Sequence, residues 1–321
     1  MKTDRKPLCP AGRGPGPDRV GAQGRSDLGR WGRRLPTQLA ALVLFNGYYW
    51  APQGKYLCLP VLNCYSCPIG TVACPIGSLT TFAILRRMPY YIIGFLALLA
   101  LALGRGFCGW ACPFGFLQDL LYRIRSPKWR LPRAADAVKY AMLVVLVIGL
   151  PLALGGGKEK GAADRIAQEG TRAYDYCALV CPAGTLETTV PSLATKPDLR
   201  AQASWRTWSK MGLLVLILGL MVVSRRGFCR ALCPLGALMA LSSRVTLFQL
   251  RTDPEKCTHC DRCIAVCPTH SRRLPARPGE REASSECVMC LDCLRTCPEA
   301  GALSAHLGGR TIALSGGKPH A

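Results

Sequence analysis

The sequence predicts an all-α membrane protein of about four transmembrane helices, built as a duplicated two-span unit and followed by a small C-terminal α+β domain. Two observations predict this fold class: four runs without a charged residue, and 19 cysteines, most of them in motifs that end in proline. Half of the 321 residues are hydrophobic and only 7% are aromatic. An intrinsically disordered chain would not be half apolar, and a disulfide-stapled secreted domain would be much shorter.

Transmembrane helices are predicted from the uncharged runs, because crossing the hydrocarbon core takes about 20 residues. Trp205 and Trp208 precede the last and shortest run, as an interfacial aromatic belt would. The alternative is that the runs are buried helices of a soluble protein. The four runs are residues 35–54, 88–104, 140–157 and 211–224.

The positive charges predict how the spans are oriented. The formal net charge is +22, and with four spans most lysines and arginines fall in segments 1–34, 105–139 and 225–321. Cytoplasmic segments carry such an excess of positive charge. We therefore expect a multi-pass inner-membrane protein with both termini in the cytoplasm, whose charge attracts lipid headgroups and not nucleic acid. Arg86 and Arg87 depart from the pattern, so residues 56–85 could instead form a re-entrant segment.

These observations divide the chain into a tail, a membrane part, a cysteine-rich domain and a second tail. Glycine, proline and charge dominate the first segment, which we expect to be a disordered cytoplasmic tail. Cys9 lies in that tail and has no assigned role. The predicted divisions are 1–34, 35–245, 250–305 and 306–321.

The membrane part contains an internal repeat that places four cysteines together. The segment Arg105-Gly-Phe-Cys-Gly-Trp-Ala-Cys-Pro recurs 121 residues later as Arg226-Gly-Phe-Cys-Arg-Ala-Leu-Cys-Pro, and each copy follows an uncharged run. Two cysteines four apart lie on one face of a helix, and the proline after the second tends to end that helix. Four thiolates from two such pairs would complete a Cys₄ cluster site. The pairs, called the inner set below, are Cys108, Cys112, Cys229 and Cys233.

A second group of cysteines is expected at the opposite membrane face. Cys74-Pro-Ile-Gly resembles Cys181-Pro-Ala-Gly, and each precedes an uncharged run. An iron–sulfur cluster, zinc, disulfides and redox-active thiols all remain open for this group, and Cys58 is unassigned. The group, called the outer set, consists of Cys64, Cys67, Cys74, Cys177 and Cys181.

The C-terminal cysteines form the most specific motif in the chain. Two C-x₂-C-x₂-C-x₃-C-P runs begin at Cys257 and Cys287. This spacing is that of bacterial two-cluster ferredoxins, in which the fourth cysteine of each run ligates the other [4Fe–4S] cluster. One cluster is predicted on Cys257, Cys260, Cys263 and Cys297, and the other on Cys287, Cys290, Cys293 and Cys267.

Several other residues were considered as sites. We expect His259 to be a surface residue, and the arginine-rich insert 268–286 to be a solvated loop or a docking loop for an acidic partner. There is no C-x-x-C-H motif, and all four histidines lie at or beyond residue 259, so we expect no haem. A quinone site is conceivable at Phe107, Trp110, Phe114 and Phe116.

The motifs RGFCGWACPFG, RGFCRALCPLG, YCALVCPAGTLE and NCYSCPIG, together with the twin cysteine runs, resemble those of a known family. The family is that of the bacterial membrane-bound 4Fe–4S polyferredoxins. It includes the H subunit of periplasmic nitrate reductase systems, the methylamine-utilisation N protein and the membrane part of the nitrous-oxide-reductase regulator. The resemblance covers about residues 35–300.

The resemblance implies electron transfer between a quinone or a cytoplasmic donor and a partner redox protein. Replacing Cys108 or Cys229 should then stop electron transfer across the membrane while leaving the C-terminal clusters intact. The alternative is a redox-linked assembly, maturation or regulatory factor for an extracytoplasmic metalloenzyme. Catalysis by this chain alone is poorly supported, because no hydrolase triad or carboxylate pair stands out.

Overall fold

The computed structural model consists of helices that lead into a small three-stranded sheet. It describes residues 34–47, 54–129, 131–132, 134–154, 175–201, 203–243, 245–258, 260–269 and 285–316. Cys9, His259 and most of the arginine-rich insert lie outside these residues, as does most of the predicted N-terminal tail. The predictions for them therefore stay predictions.

The first half of the membrane part alternates longer apolar helices with shorter ones. The longest, α3, ends where Gly104 takes a positive φ of 52°, a conformation that only glycine adopts without strain. The helices are α1 (Arg34–Phe45), α2 (Pro75–Ile84), α3 (Tyr90–Leu103), α4 (Gly106–Trp110) and α5 (Pro113–Leu121).

The second half repeats this order. Helix α6 covers Ala135–Met142, continues as a π-helix over Leu143–Gly149 and ends with the α-helical turn Leu150–Leu154. Helix α8 similarly combines Pro182–Gly184, a π-helix over Thr185–Thr189 and Val190–Thr195. The remaining helices are α7 (Tyr176–Leu179), α9 (Pro197–Ala201), α10 (Trp205–Val223), α11 (Gly227–Ala231) and α12 (Pro234–Ser242).

Two of the described helices are long and apolar enough to cross a membrane. They cover Ala135–Ala153 and Trp205–Val223, and only 22% and 17% of their apolar windows are buried inside the protein. Val215 and Leu216 of α10 are 68% and 70% exposed, which a helix in a soluble core would not tolerate. Helices α1, α2 and α3 are apolar but shorter. The ten residues of α2 rise only about 15 Å, so this helix fits the predicted re-entrant segment better than a span.

The C-terminal domain packs two short helices against an antiparallel sheet of order β1-β2-β3. Strand β1 is Phe248–Thr252, β2 is Leu303–Leu307 and β3 is Arg310–Leu314; the helices are α13 (Arg262–Val266) and α14 (Asp292–Thr296). Phe248 pairs with Leu307, and Thr252 with Leu303. Gly308 and Gly309, both with positive φ, turn the chain back so that it forms β3. The sheet thus extends beyond residue 305, the predicted end of the domain, into the segment expected to be a tail.

Candidate functional site

Four of the membrane cysteines occupy equivalent positions, each immediately before the first residue of a helix. Cys74, Cys112, Cys181 and Cys233 are each the N-cap of a helix whose first residue is proline. Proline keeps the residue before it in an extended conformation and is itself well suited to the first helical position. Each Cys-Pro pair therefore starts one of the short helices α2, α5, α8 and α12, with its thiol at the helix N-terminus.

The four inner cysteines lie near one another in the membrane part. All four are buried. Gln118 of α5 reaches across to the second repeat, where its Nε2 donates to Cys229 Sγ at 2.9 Å. The backbone N–H of Leu62 donates to Cys112 Sγ at 3.5 Å, and that of Gly236 donates to Cys233 Sγ at 3.4 Å. Three of the four sulfurs thus accept hydrogen bonds.

The arginines of the two repeats cross over to each other's cysteine motif. Arg226 Nη1 donates to the carbonyl oxygen of Cys108 at 2.5 Å, and Arg105 Nη2 donates to that of Cys229 at 3.4 Å. Both guanidinium groups are fully buried. A buried charge needs a partner, and Asp119 Oδ2 accepts from Arg226 at 2.5 Å. The crossover ties the repeats together and surrounds the inner set with positive charge.

The outer cysteines line a cavity of about 480 Å³ between the two repeats. Four of the five predicted residues, Cys64, Cys74, Cys177 and Cys181, face it, whereas Cys67 does not. Lys210 also lines the cavity, and its Nζ donates to the Cys177 carbonyl oxygen at 3.0 Å. The cavity is large enough for a bound group, because ligand sites start at about 300 Å³.

The two sets are close together, which differs from the expectation that they lie at opposite membrane faces. Leu62 donates to the sulfur of Cys112 and is only two residues from Cys64, a stretch of at most about 7 Å. Tyr176, next to Cys177, donates its hydroxyl to the carbonyl oxygen of Leu232, next to Cys233. The short helices cause this approach, because they begin inside the protein and not at the ends of full spans.

In the C-terminal domain, the predicted first cluster site is one pocket. Cys257, Cys260, Cys263 and Cys297 line it, together with hydrophobic and polar residues of β1 and β2. Cys297 comes from the second run, so residues of both runs line this pocket. Asp261 and Leu291 hold positive φ values of 56° and 61° at the starts of α13 and α14. These turns wrap each run around its site.

The second predicted cluster site lies against the inner set. Cys108, Val288 and Cys290 form one small buried cluster. Trp110 Nε1 donates to the Met289 carbonyl oxygen at 2.8 Å. A Cβ atom on Gly109 would stand 2.3 Å from the carbonyl oxygen of Val288, so the loop approaches more closely than any side chain would allow. Burial strongly raises the pKa of the Cys290 thiol. A neutral thiol is favoured there unless a metal stabilises the thiolate.

Buried ion pairs join the membrane part to the C-terminal domain. Glu286 lies beside Arg105 at 2.5 Å and also contacts Lys139. Burial raises the pKa of Glu286, but the positive charges of Arg105 and Lys139 outweigh burial and lower it below the usual value. Arg34 bridges Asp119 at 3.1 Å and Asp292 at 3.3 Å. Glu286 and Asp292 stand beside Cys287 and Cys293, so these pairs fix the cluster loop on the membrane part.

This polar framework was not predicted from the sequence, although a signal for part of it was present. Asp119 is the only acidic residue between positions 28 and 135. A lone acid among so many lysines and arginines is a natural partner for a buried arginine. Gln38 also contributes, since its Nε2 donates to the Gly109 carbonyl oxygen at 3.1 Å. Of the four aromatic residues at the conceivable quinone site, Phe114 contacts Phe228 edge to face at 5.1 Å.

The donor sets fit iron–sulfur clusters. The inner set and each C-terminal site offer four thiols, and four of the five outer cysteines line one cavity. Four thiols are the ligand set of a [4Fe–4S] cluster. In the part of the chain that the structure describes, no three cysteine, histidine or acidic residues converge as they would on one metal ion. In a cubane, each thiolate binds a different iron atom. The four sulfur atoms of a cluster site therefore lie farther apart than four sulfur atoms bound to one zinc ion. The fold and sites define an iron–sulfur protein whose membrane part is joined to a two-cluster ferredoxin-type domain.

Comparison with known proteins supports this class. A family model described as a 4Fe-4S binding domain matches twice, at residues 88–132 and 208–252, around the two halves of the inner set. A second model, a 4Fe-4S dicluster domain, matches residues 249–301. No solved structure matches.

Curated relatives define the family. Uncharacterized protein MJ0750 of Methanocaldococcus jannaschii is 30% identical over 63% of this chain and 72% of its own length. Regulatory protein NosR of Pseudomonas aeruginosa is 31% identical over 60% of this chain but only 24% of its own length. Ferredoxin-type protein NapH of Escherichia coli is 27% identical over 63% of this chain and 62% of its own length. The chain belongs to the membrane-bound 4Fe–4S polyferredoxin family.

Proposed function

We propose that the protein relays electrons through its membrane part, between a quinone or cytoplasmic donor and a partner redox protein. The two clusters of the C-terminal domain exchange electrons with a third cluster on the inner set. Arg105 and Arg226 offset the negative charge of that cluster, and Gln118 donates a hydrogen bond to one of its sulfurs. Each cluster takes up and releases one electron at a time.

One observation carries the proposal: Cys108 of the inner set and Cys290 of the second C-terminal cluster site belong to one small buried cluster with Val288. A domain that only stabilised the fold would not need cluster ligands at its interface with the membrane part. Trp110 and Gly109 hold the two segments together through the loop 288–290. This arrangement supports direct electron exchange between the sites.

The proposal also places the chain in the inner membrane as a four-span protein with cytoplasmic termini. The two long apolar helices and the exposed apolar side chains of α10 support membrane insertion. Helices α1 and α3 supply the other two spans, and lipid covers their exposed faces. Fusion of a reporter to each connecting segment tests this topology; a C-terminus outside the cytoplasm would contradict it.

The electron relay is tested with Cys108→Ser and Cys229→Ser. The protein is reduced at the C-terminal clusters by flash-generated reductant, and electron arrival at an acceptor on the other side of a proteoliposome membrane is followed. We expect transfer to stop in both variants while the electron paramagnetic resonance signals of the C-terminal clusters remain. Cys58→Ser, which changes a buried cysteine outside both sets, is the matched control. Unchanged transfer in Cys108→Ser would refute the relay.

A second candidate function is redox-linked assembly or regulation of an extracytoplasmic metalloenzyme. The thiol-lined outer cavity favours it, because thiolates bind soft metals and exchange disulfides. The similarity to a regulatory protein points in the same direction. Transfer of copper(I) or zinc from purified protein to an apo-metalloenzyme would support this function. An absence of any such transfer, with an intact relay, would exclude it.

A further inference from the structure

Four of the six cysteines in this part of the membrane domain line the outer cavity. We propose that Cys64, Cys74, Cys177 and Cys181 bind a fourth [4Fe–4S] cluster there. This inference rests on the proposed relay, since it adds a site next to the inner set. Two ligands come from each repeat, as in the inner set.

The two remaining cysteines are held elsewhere. The backbone N–H of Cys67 donates to the Cys64 carbonyl oxygen at 3.1 Å, which closes a tight turn. This turn leaves Cys64 on the cavity wall and Cys67 outside it. Cys58 lies in a bridge with Ala73, and its thiol contacts the Ser78 hydroxyl at 3.6 Å. The structure thereby reduces six candidate ligands to the four that a cubane requires.

Two glycines leave room for the inorganic part of the cluster. Gly184 follows Cys181 by three residues, and a Cβ on it would lie 3.5 Å from the sulfur of Cys64, in the other repeat. Gly77 follows Cys74 by three residues, and a Cβ there would lie 3.7 Å from the sulfur of Cys177. Each Cys-Pro-x-Gly backbone thus passes beside a thiol of the opposite repeat. Glycine at these positions keeps the side of the cavity between the thiols open.

The outer sulfurs receive the same kind of hydrogen bond as the inner ones. The Gly184 N–H donates to Cys181 Sγ at 3.4 Å, as the Gly236 N–H does to Cys233 Sγ. The Thr188 hydroxyl donates to Cys64 Sγ at 3.4 Å. Hydrogen bonds to ligand sulfurs are among the factors that set cluster potentials. Lys210 adds a positive charge at the rim.

A cluster fits this cavity better than a zinc ion or disulfides. A structural zinc site is closed, with four sulfurs drawn to about 2.3 Å from one ion. The cavity measures about 480 Å³, and the described residues hold no group spaced for a single ion. Among the residues that the structure describes, Cys64, Cys74, Cys177 and Cys181 form no disulfide. Four separated thiols around an open space match a cubane.

The first test is the iron and acid-labile sulfide content of the anaerobically purified full chain and its variants. With four cubanes we expect about 16 iron atoms per chain, and about 12 in Cys74→Ser or Cys177→Ser. The matched controls Cys58→Ser and Cys67→Ser should keep about 16. A wild-type content of about 12 that Cys74→Ser leaves unchanged would overturn the inference. If Cys108→Ser then lowers it, the proposed relay survives.

A second test needs no variant and so does not depend on folding of the mutants. Cys64 and Cys177 are only half-buried, so as free thiols they would react with an alkylating reagent. We expect both to resist iodoacetamide in the purified protein and to become labelled after iron is removed with a chelator and the thiols are reduced again. Peptide mass spectrometry measures each residue separately. Equal labelling before and after chelation would overturn the inference.

Discussion

Replacing Gly109 by alanine tests the contact that joins the membrane part to the C-terminal domain. The new Cβ would lie 2.3 Å from the Val288 carbonyl oxygen, a backbone atom that cannot rotate away. Relief requires the loop 288–290 to withdraw by about 1 Å, toward ordinary van der Waals distance. Overpacking of this kind costs about 1–3 kcal/mol, which for a chain of this length corresponds to a fall of about 1–5 °C in the thermal midpoint.

The assay for Gly109→Ala is thermal unfolding in detergent at a fixed scan rate, combined with the electron transfer measurement. We expect the midpoint to fall and transfer from the C-terminal clusters to slow, because Cys290 moves away from Cys108. Gly94→Ala and Gly219→Ala are matched controls, since a Cβ on either residue meets no atom within 4 Å. Both should leave the midpoint unchanged or raise it slightly. A midpoint for Gly109→Ala equal to those of the controls would refute the reasoning.

Three other substitutions test the polar framework. Arg226→Gln removes the main partner of buried Asp119 and should destabilise the protein by about 3–5 kcal/mol in chemical unfolding. Gln118→Leu removes a hydrogen-bond donor to Cys229 Sγ. That hydrogen bond favours the reduced form of the cluster, because the reduced form is more negative. The reduction potential of the inner site should therefore fall by about 20–60 mV in a redox titration. Trp110→Phe leaves a backbone carbonyl without its donor and should cost about 1–3 kcal/mol in thermal unfolding.

Substitutions at exposed positions are the controls for the two stability predictions. Arg200→Gln changes an arginine at an exposed position, and Trp205→Phe changes a tryptophan that is 74% exposed; both should have little effect on stability. For Gln118→Leu, the potentials of the C-terminal clusters are the internal reference. Equal stability losses in Arg226→Gln and Arg200→Gln, or in the two tryptophan variants, would contradict the proposed contacts. A rise in the inner potential would contradict the role of Gln118.

Much of the architecture could be predicted because it depends on local sequence. The uncharged runs indicated the helices α3, α6 and α10, and proline after cysteine indicated where short helices begin. The inner set followed from the repeat of Arg105-Gly-Phe-Cys at Arg226. The crossing of the two arginines could not be predicted, because it depends on how segments more than 100 residues apart pack. The hairpin of β2 and β3 was missed, although two short runs separated only by Gly308-Gly309 are a signal for a β-hairpin.

The positions of the short helices determine how far apart the redox sites of the membrane part lie. The hydrocarbon core is about 30 Å thick, too wide for one efficient step. Irregular backbone is tolerated at membrane depth only where the protein buries it, and the motifs at Cys74, Cys112, Cys181 and Cys233 are buried in this way. Because Leu62 contacts the Cys112 sulfur, the outer cavity begins within a few residues of the inner set. With cofactors at both sets, an electron would pass from the C-terminal domain to the outer cavity in short steps between neighbouring sites.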